Sequence, residues 1–392
     1  MFDYTVLQVV WWALIGTLLI GFALTDGFDM GACVLLPFVA RNDTERRVVV
    51  NAVGATWEGN QVWFVTAGGA TFAAWPRVYA TAFSGFYIAL LLVLFALFFR
   101  PVGFDYRGKI SDPRWRGFWD WALFGGSLVP ALVFGVAFGN LLQGVPFEFD
   151  ADLRSTYTGS FFALLNPFAL LCGLVSLSML VTHGAALLQL KTDGAVRARA
   201  ARAQRWAGLI GLVLFALAGV WVATALVGFR VQADGTAVAA TGAWMDNYAR
   251  WPAMLIAPAL GLLGLAGAAA LSGRHSSRDL GRNPGRTPGG NPGHNPARDS
   301  GAAGFLCSGA AIIGIILTAG FSMFPFVMPS STDTVHSLTA WNSTSSALTL
   351  EIMLFAVIVF LPLILVYTSW VYKVMFGRVT NRVIEADQHT LY

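Results

Sequence analysis

Residues 8–37 form an almost unbroken apolar run whose only charged side chains are Asp26 and Asp29, and comparable runs recur along the whole chain. A stretch of about 20 such residues, rising about 1.5 Å each, is long enough to cross the roughly 30 Å hydrocarbon core of a bilayer as a helix. No water reaches backbone N–H and C=O groups there, so a chain built of such runs must fold as packed helices. Composition agrees: 56% of residues are hydrophobic and 12% charged, against about 25% charged in an ordinary soluble domain.

Placing span ends at charges and turn residues gives about nine spans, at about 8–37, 50–74, 78–99, 118–141, 159–189, 205–228, 252–272, 303–326 and 350–375. The expected fold is an all-α integral membrane protein of about nine transmembrane helices. It forms a single polytopic domain over 1–392, with two four-helix bundles at about 1–143 and about 155–326 and one peripheral helix at about 350–375. An internal echo, Thr25-Asp26-Gly27 against Thr182-His183-Gly184, is the sequence support for two related bundles.

If the spans alternate, Lys and Arg sort by side. Of the 25, only Arg77, Arg154, Arg230 and Arg250 fall in loops after even-numbered spans. The positive-inside rule then puts the N-terminus outside and the C-terminus in the cytoplasm. The second span holds the polar run ATWEGNQVWF, residues 55–64, and scores poorly on hydropathy, yet omitting it would scatter the basic loops over both faces. The net charge of +4 is thus topological; it points to contact with anionic lipid and not to nucleic acid.

Residues 274–304 carry a loose Asn-Pro-Gly and Thr-Pro-Gly repeat, too rich in proline and glycine to continue a helix, and are expected to be a disordered cytoplasmic loop. His275 and His294 within it are incidental, because a metal site needs three or four converging ligands. Cys33, Cys172 and Cys307 lie in apolar spans without CxxC spacing, so no disulfide framework is expected. The N-terminus lacks a basic leader and cleavage site, and the first span reads as retained. Residues 139–162, with Glu148, Asp150 and Asp152 among aromatics, are long enough for an ordered outer cap.

Ionisable groups cost about 2.5–3.5 kcal/mol at a helix centre in the bilayer, so those that persist demand a role. Asp26, Asp29, Glu58 and His183 qualify. Counted from the inner ends of their spans, Asp29 and Glu58 both lie roughly 12 Å deep on the cytoplasmic side. Asp26 and Asp29 are three residues apart and share a helix face; Trp57, Asn60 and Gln61 share another, with Glu58 beside Gln61. Such a stack could hold waters leading in from the cytoplasm, and a functional role is preferred for Glu58. For Asp29 a structural role is preferred, and His183 without a second intramembrane histidine does not suggest a haem or metal site of this chain's own.

Longer motifs then become recognisable. Residues FALTDGFDMG at 22–31, NDTERR at 42–47, WEGNQVW at 57–63, FRPVGFDYR at 99–107 and MFPFVMPSS at 323–331 resemble subunit II of cytochrome bd-type quinol oxidases, in order and over nearly the full length. The resemblance implies a bacterial inner-membrane terminal oxidase, with a periplasmic N-terminus. It implies a partner subunit I that carries haems b558, b595 and d, and oxidation of quinol coupled to reduction of dioxygen to water. It also admits a structurally bound quinone and small single-helix accessory subunits. By the same resemblance this chain binds no haem or other metal itself and contributes no catalytic residue. It supplies a cytoplasmic proton-uptake path of Glu58, Asp26, Asn60, Gln61 and Trp57, with Trp63 near a lateral dioxygen route and secondary polar roles for Asp29 and His183. Two departures stand out: the family's usual Asp is Glu58 here, one methylene longer, and the Pro/Gly loop is unusual. A proton-coupled permease or a purely structural scaffold are the rival readings; against the permease, no span shows a paired Gly/Pro interruption in matching halves.

Overall fold

Asp3 sets the start of the first helix, its carboxylate accepting from the backbone N–H groups of Thr5 and Val6 at 2.9 and 3.1 Å and so satisfying donors that a helix N-terminus leaves open. The computed structural model describes residues 3–232, 235–273, 296–375, 377–380 and 383–384. In chain order the helices are α1 (Tyr4–Val39), α2 (Asp43–Gly54), α3 (Trp57–Asn60), α4 (Val62–Ala74), α5 (Pro76–Gly85), α6 (Tyr87–Tyr106) and α7 (Pro113–Gln143). After the outer loop follow α8 (Pro167–Lys191), α9 (Gly194–Thr224), α10 (Asp246–Arg250), α11 (Ile256–Leu271), α12 (Pro296–Met323) and α13 (Ala347–Met375). Among the described residues, 8 helices are long and apolar enough to cross a membrane.

The expected second span is not one helix. It runs through the end of α2, the turn α3 and α4, interrupted at Ala55–Thr56 and again at Gln61. Thr56 N bonds back to Val53 O at 3.0 Å and Gln61 N to Glu58 O at 3.3 Å, i→i+3 bonds that tighten the backbone and break helical register. An interrupted span was not read from the sequence because neither Gly nor Pro occupies either break. The third span is likewise divided at Phe86 into α5 and α6, and α6 continues to Tyr106, drawing Arg100 from an expected loop into a helix. The fifth begins at Pro167, later than expected, where the Asn166 side chain accepts from Ala169 N at 2.9 Å as an N-cap. α12 opens at Pro296, so the end of the expected loop is helical, while 274–295, with His275 and His294, lies outside the described residues.

α1 runs through the middle of the molecule, packed on α4, α7, α8 and α12. Its crossing with α8 is backbone to backbone: a Cβ on Gly31 would collide with the Leu180 carbonyl, and one on Gly184 with the backbone of Gly31 and Ala32. Small residues at a membrane helix crossing allow this close approach, which replaces the missing hydrophobic drive with dispersion. The two echoed triplets lie on these crossing helices. In the loops between the long helices, β1 (Phe147–Phe149) pairs with β2 (Ser155–Tyr157), β3 (Val227–Val231) with β4 (Ala237–Thr241), and β5 (Phe326–Met328) with β6 (Leu338–Thr339), all antiparallel. Val145 N donates to Pro329 O at 2.9 Å and Ser331 N to Val145 O at 3.0 Å. The MFPFVMPSS motif is thereby stitched onto the loop after α7, and the cap is ordered as expected.

Candidate functional site

Asp26 and Arg100 meet inside the bundle as a fork: Arg100 Nη1 donates to Asp26 Oδ2 at 2.8 Å and Nη2 to Oδ1 at 2.5 Å, with both side chains at most 1% exposed. Bidentate geometry of this kind offsets the desolvation of both ions. Asp26 is therefore committed to a fixed cation. The sequence reading placed it with Glu58, but missed its partner, because Arg100 looked like the first charge of a cytoplasmic loop.

Asp29 is brought to Asn60 instead. Asn60 Nδ2 donates to Asp29 Oδ2 at 2.7 Å, and Asn60 Oδ1 accepts from Tyr372 Oη at 2.5 Å, linking α1, α3 and α13. Asp29 Oδ1 is buried and meets no hydrogen-bonding partner among the described residues. Glu58, on the same turn as Asn60, is exposed on the outside of the chain. Along the helix α4 that follows it, Val62, Val65 and Phe72 are 51%, 72% and 58% exposed, so the segment that begins at Glu58 presents an apolar face. Trp57 is buried and stacks on Phe104 with centroids 5.1 Å apart. Gln61 is half-buried at the second break. The Trp63 ring lies over Gly21, where any Cβ would strike it.

Beside this turn a cavity of about 210 Å³ is lined by Thr25, Phe28, Thr56, Lys191, Phe305 and Tyr372 among others. Lys191, buried, donates from Nζ to Met375 O at 3.0 Å. Neither Lys191 nor Tyr372 was singled out from the sequence; only their place at helix ends distinguished them. A second cavity, of about 270 Å³, is almost wholly apolar, with Phe22, Phe64, Phe134, Phe168, Cys172 and Met179 in its wall.

His183 does not offer a nitrogen to a haem. Its Nδ1 lies 2.8 Å from Ser308 Oγ and its Nε2 3.0 Å from Leu24 O, and Phe305 stacks on the ring at 4.5 Å. The other described histidine, His336, accepts from Phe149 N in the outer cap. Among the described residues no group of three or more His, Cys, Asp or Glu could hold a metal ion. The donor set does not fit haem ligation, and no step through a haem is assigned to these side chains.

At the end of the helices that carries the loop between α6 and α7, Asp120 receives Arg46 at 2.8 Å and Arg107 at 2.6 Å, while Asp43 receives Arg107 at 2.9 Å and Arg116 at 2.6 Å. Part of the basic excess is thus an ion network clasping α2, α6 and α7. Nearby, Glu45 closes the start of α2: its Oε2 accepts from Arg41 N at 2.6 Å, the Asn42 side chain accepts from Glu45 N at 2.9 Å, and Arg199 Nη2 lies 2.6 Å from Glu45 Oε1. This is a capping arrangement and gives the NDTERR motif a physical reason. Burial alone would raise the Glu45 pKa, but the Arg41 N–H and the Arg199 guanidinium outweigh it and hold the carboxyl below its usual range.

The sequence matches the cytochrome bd terminal oxidase subunit II family over residues 7–375. It is 51% identical to the cytochrome bd-I ubiquinol oxidase subunit 2 of Escherichia coli, covering 100% of both chains. It is 30% identical to the cytochrome bd ubiquinol oxidase subunit 2 of Bacillus subtilis, covering 96% of this chain and 98% of the other. Among solved structures, a chain of the bd oxidase from Geobacillus thermodenitrificans superposes with a TM-score of 0.67 at 13% identity, over 97% of this chain and 99% of that one. That last likeness bears on the fold alone.

Proposed function

The chain belongs to the cytochrome bd terminal oxidase subunit II family, a multi-pass membrane subunit of an oxidoreductase complex, and on that premise we propose that Glu58 is the group through which it feeds protons from the cytoplasm to oxygen chemistry in subunit I. In this reading quinol is oxidised, dioxygen is reduced to water, and the coupled uptake of protons from the inner face contributes to the proton gradient. Haems b558, b595 and d belong to subunit I and supply the electron transfer and oxygen reduction; this chain supplies the protein wall and the carboxylate beside them.

The observation that carries the proposal is the exposure of Glu58 on an apolar face. A carboxylate facing lipid would be penalised by several kcal/mol, so this face is one that subunit I covers, with room for water at the seam. Exposed apolar side chains on α4 and α6, including Val65, Phe72, Tyr87 and Phe95, are available for such a contact. Asn60, Gln61 and Trp57 shape the turn that presents the carboxylate. Asp26, held by Arg100 in a charge-balanced fork, belongs to the same path farther along α1. Trp63 packs over Gly21, and its chain neighbour Phe64 lines the apolar cavity, which suits dioxygen or the isoprenoid chain of a structurally bound quinone. The N-terminus is periplasmic and the C-terminus cytoplasmic, basic loops such as Arg41 to Arg47 meet anionic lipid at the inner face, and the exposed α13 offers a place for a small single-helix accessory subunit.

Glu58→Gln tests the reading. In the assembled complex with unchanged haem content, turnover and proton uptake are expected to fall by about 10²-fold, the scale of a lost general acid-base group. Glu58→Asp, the shorter carboxylic acid, should keep most of the rate. Full turnover in Glu58→Gln would leave the chain as a scaffold only.

A further inference from the structure

Glu58 and Asn60 share the one turn of α3, and two residues of an α-helix are about 200° apart around its axis. One side chain therefore faces out when the other faces in, as observed. The turn is cut off from α2 and α4 by the breaks at Ala55–Thr56 and Gln61, so no continuous helix fixes its rotation. What fixes it is the inward side, where Trp57 stacks on Phe104 and Asn60 is gripped at both ends of its amide by Asp29 and Tyr372. An amide in that position is a poor proton carrier, because passing a proton would require its imidic tautomer. It is well suited to holding.

We propose that Tyr372 and Asp29 are positioning residues for Glu58, acting through Asn60, so that the inner end of the peripheral helix α13 sets the orientation of the carboxylate. This rests on the reading of Glu58 as the proton-uptake group. α13 is suited to transmit such a constraint. Of its residues only Leu350 is buried, and Trp11 Nε1 donates to that residue's carbonyl at 3.0 Å near the helix start. The inner end is tied by Tyr372 and by Lys191, whose ammonium donates to Met375 O while its own carbonyl accepts from Val379 N at 2.8 Å. The cavity of about 210 Å³ walled by Tyr372, Lys191 and Thr56 leaves space for the tyrosine to swing away from Asn60. A change in what packs on the exposed side of α13 would then reach Glu58 through one hydrogen-bonded amide.

The test is a double-mutant cycle in the whole oxidase complex, with quinol-driven oxygen consumption expressed per haem and followed across pH, for Tyr372→Phe, Glu58→Gln and the two combined. A misplacement of about 1 Å can cost about 10²-fold, so the loss of one of the anchors of Asn60 is expected to slow Tyr372→Phe by roughly tenfold. Its pH–rate profile should shift as well, and the combined variant should be no slower than Glu58→Gln alone. Lys191→Met, which releases the end of α13 without touching Asn60, should slow turnover in the same direction and covers the case in which Tyr372→Phe assembles poorly. A full rate in both Tyr372→Phe and Lys191→Met, or losses that add to that of Glu58→Gln, would overturn the positioning role while leaving the proton-uptake reading intact. A full rate in Glu58→Gln would overturn both.

Discussion

Arg100 and Asp26 illustrate how a charge can be buried within the apolar helices and yet be balanced. Removing one partner of a buried pair leaves the other uncompensated, at a cost of about 3–5 kcal/mol, whereas replacing both with apolar groups is often near neutral. Arg100→Leu is therefore expected to deplete the assembled complex in membranes, and Asp26→Leu combined with Arg100→Leu to recover much of it. Haem content per unit of membrane protein measures this, and a combined variant as poor as the single one would contradict the pairing argument. Glu45 makes a separate prediction outside the membrane. Its folded pKa lies below the ordinary value, so its stabilisation is fully present above about pH 4.3, the usual Glu pKa, and disappears as pH falls through the depressed value. Glu45→Gln should be less stable at neutral pH by about 1–3 kcal/mol, the scale of a charge-assisted hydrogen bond. The difference between the two proteins in thermal inactivation should shrink as the medium is acidified below that point. A difference that grew with acid would reverse the sign and refute the assignment. At this scale Glu58, Asn60 and Asp29 were legible because polar side chains in an apolar run stand out; Arg100 and Tyr372 were not, because arginine beside a loop and tyrosine in a terminal helix are ordinary.

The helices themselves follow from apolar runs, and so most spans could be read directly. Their interruptions could not, since the i→i+3 bonds at Thr56 and Gln61 arise from local packing and carry no Gly or Pro signal. Boundaries moved where a cap or an ion pair decided them: Asn166 delays α8, and the fork with Asp26 lets α6 run on through Arg100. The α1–α8 crossing gives an element-scale prediction. Gly31→Val would drive side-chain atoms into the Leu180 carbonyl, an overpacking that costs about 1–3 kcal/mol or more, and should reduce complex yield. Gly117→Val, at a position with nothing within 4 Å of a built Cβ, should not. Equal yields from the two variants would mean that the crossing is looser than the backbone contacts indicate.

For the molecule as a whole, apolar spans, an ion-paired rim and a β-hairpin cap belong to a membrane subunit on which the Glu58 carboxylate is exposed. The sequence conveyed the membrane class and the family motifs. The outward placement of Glu58 needed coordinates, because exposure is a three-dimensional property and its spacing from Asn60 in sequence says nothing of which way either points without the fixed rotation of α3. Isolation of the tagged chain from its native membrane, with a reduced-minus-oxidised visible spectrum and quinol-driven oxygen consumption on the same sample, tests the central claim most directly. Haem b and haem d bands together with oxygen uptake are the predicted result. A colourless chain, purified alone and without oxygen uptake from membranes that retain the activity, would contradict it.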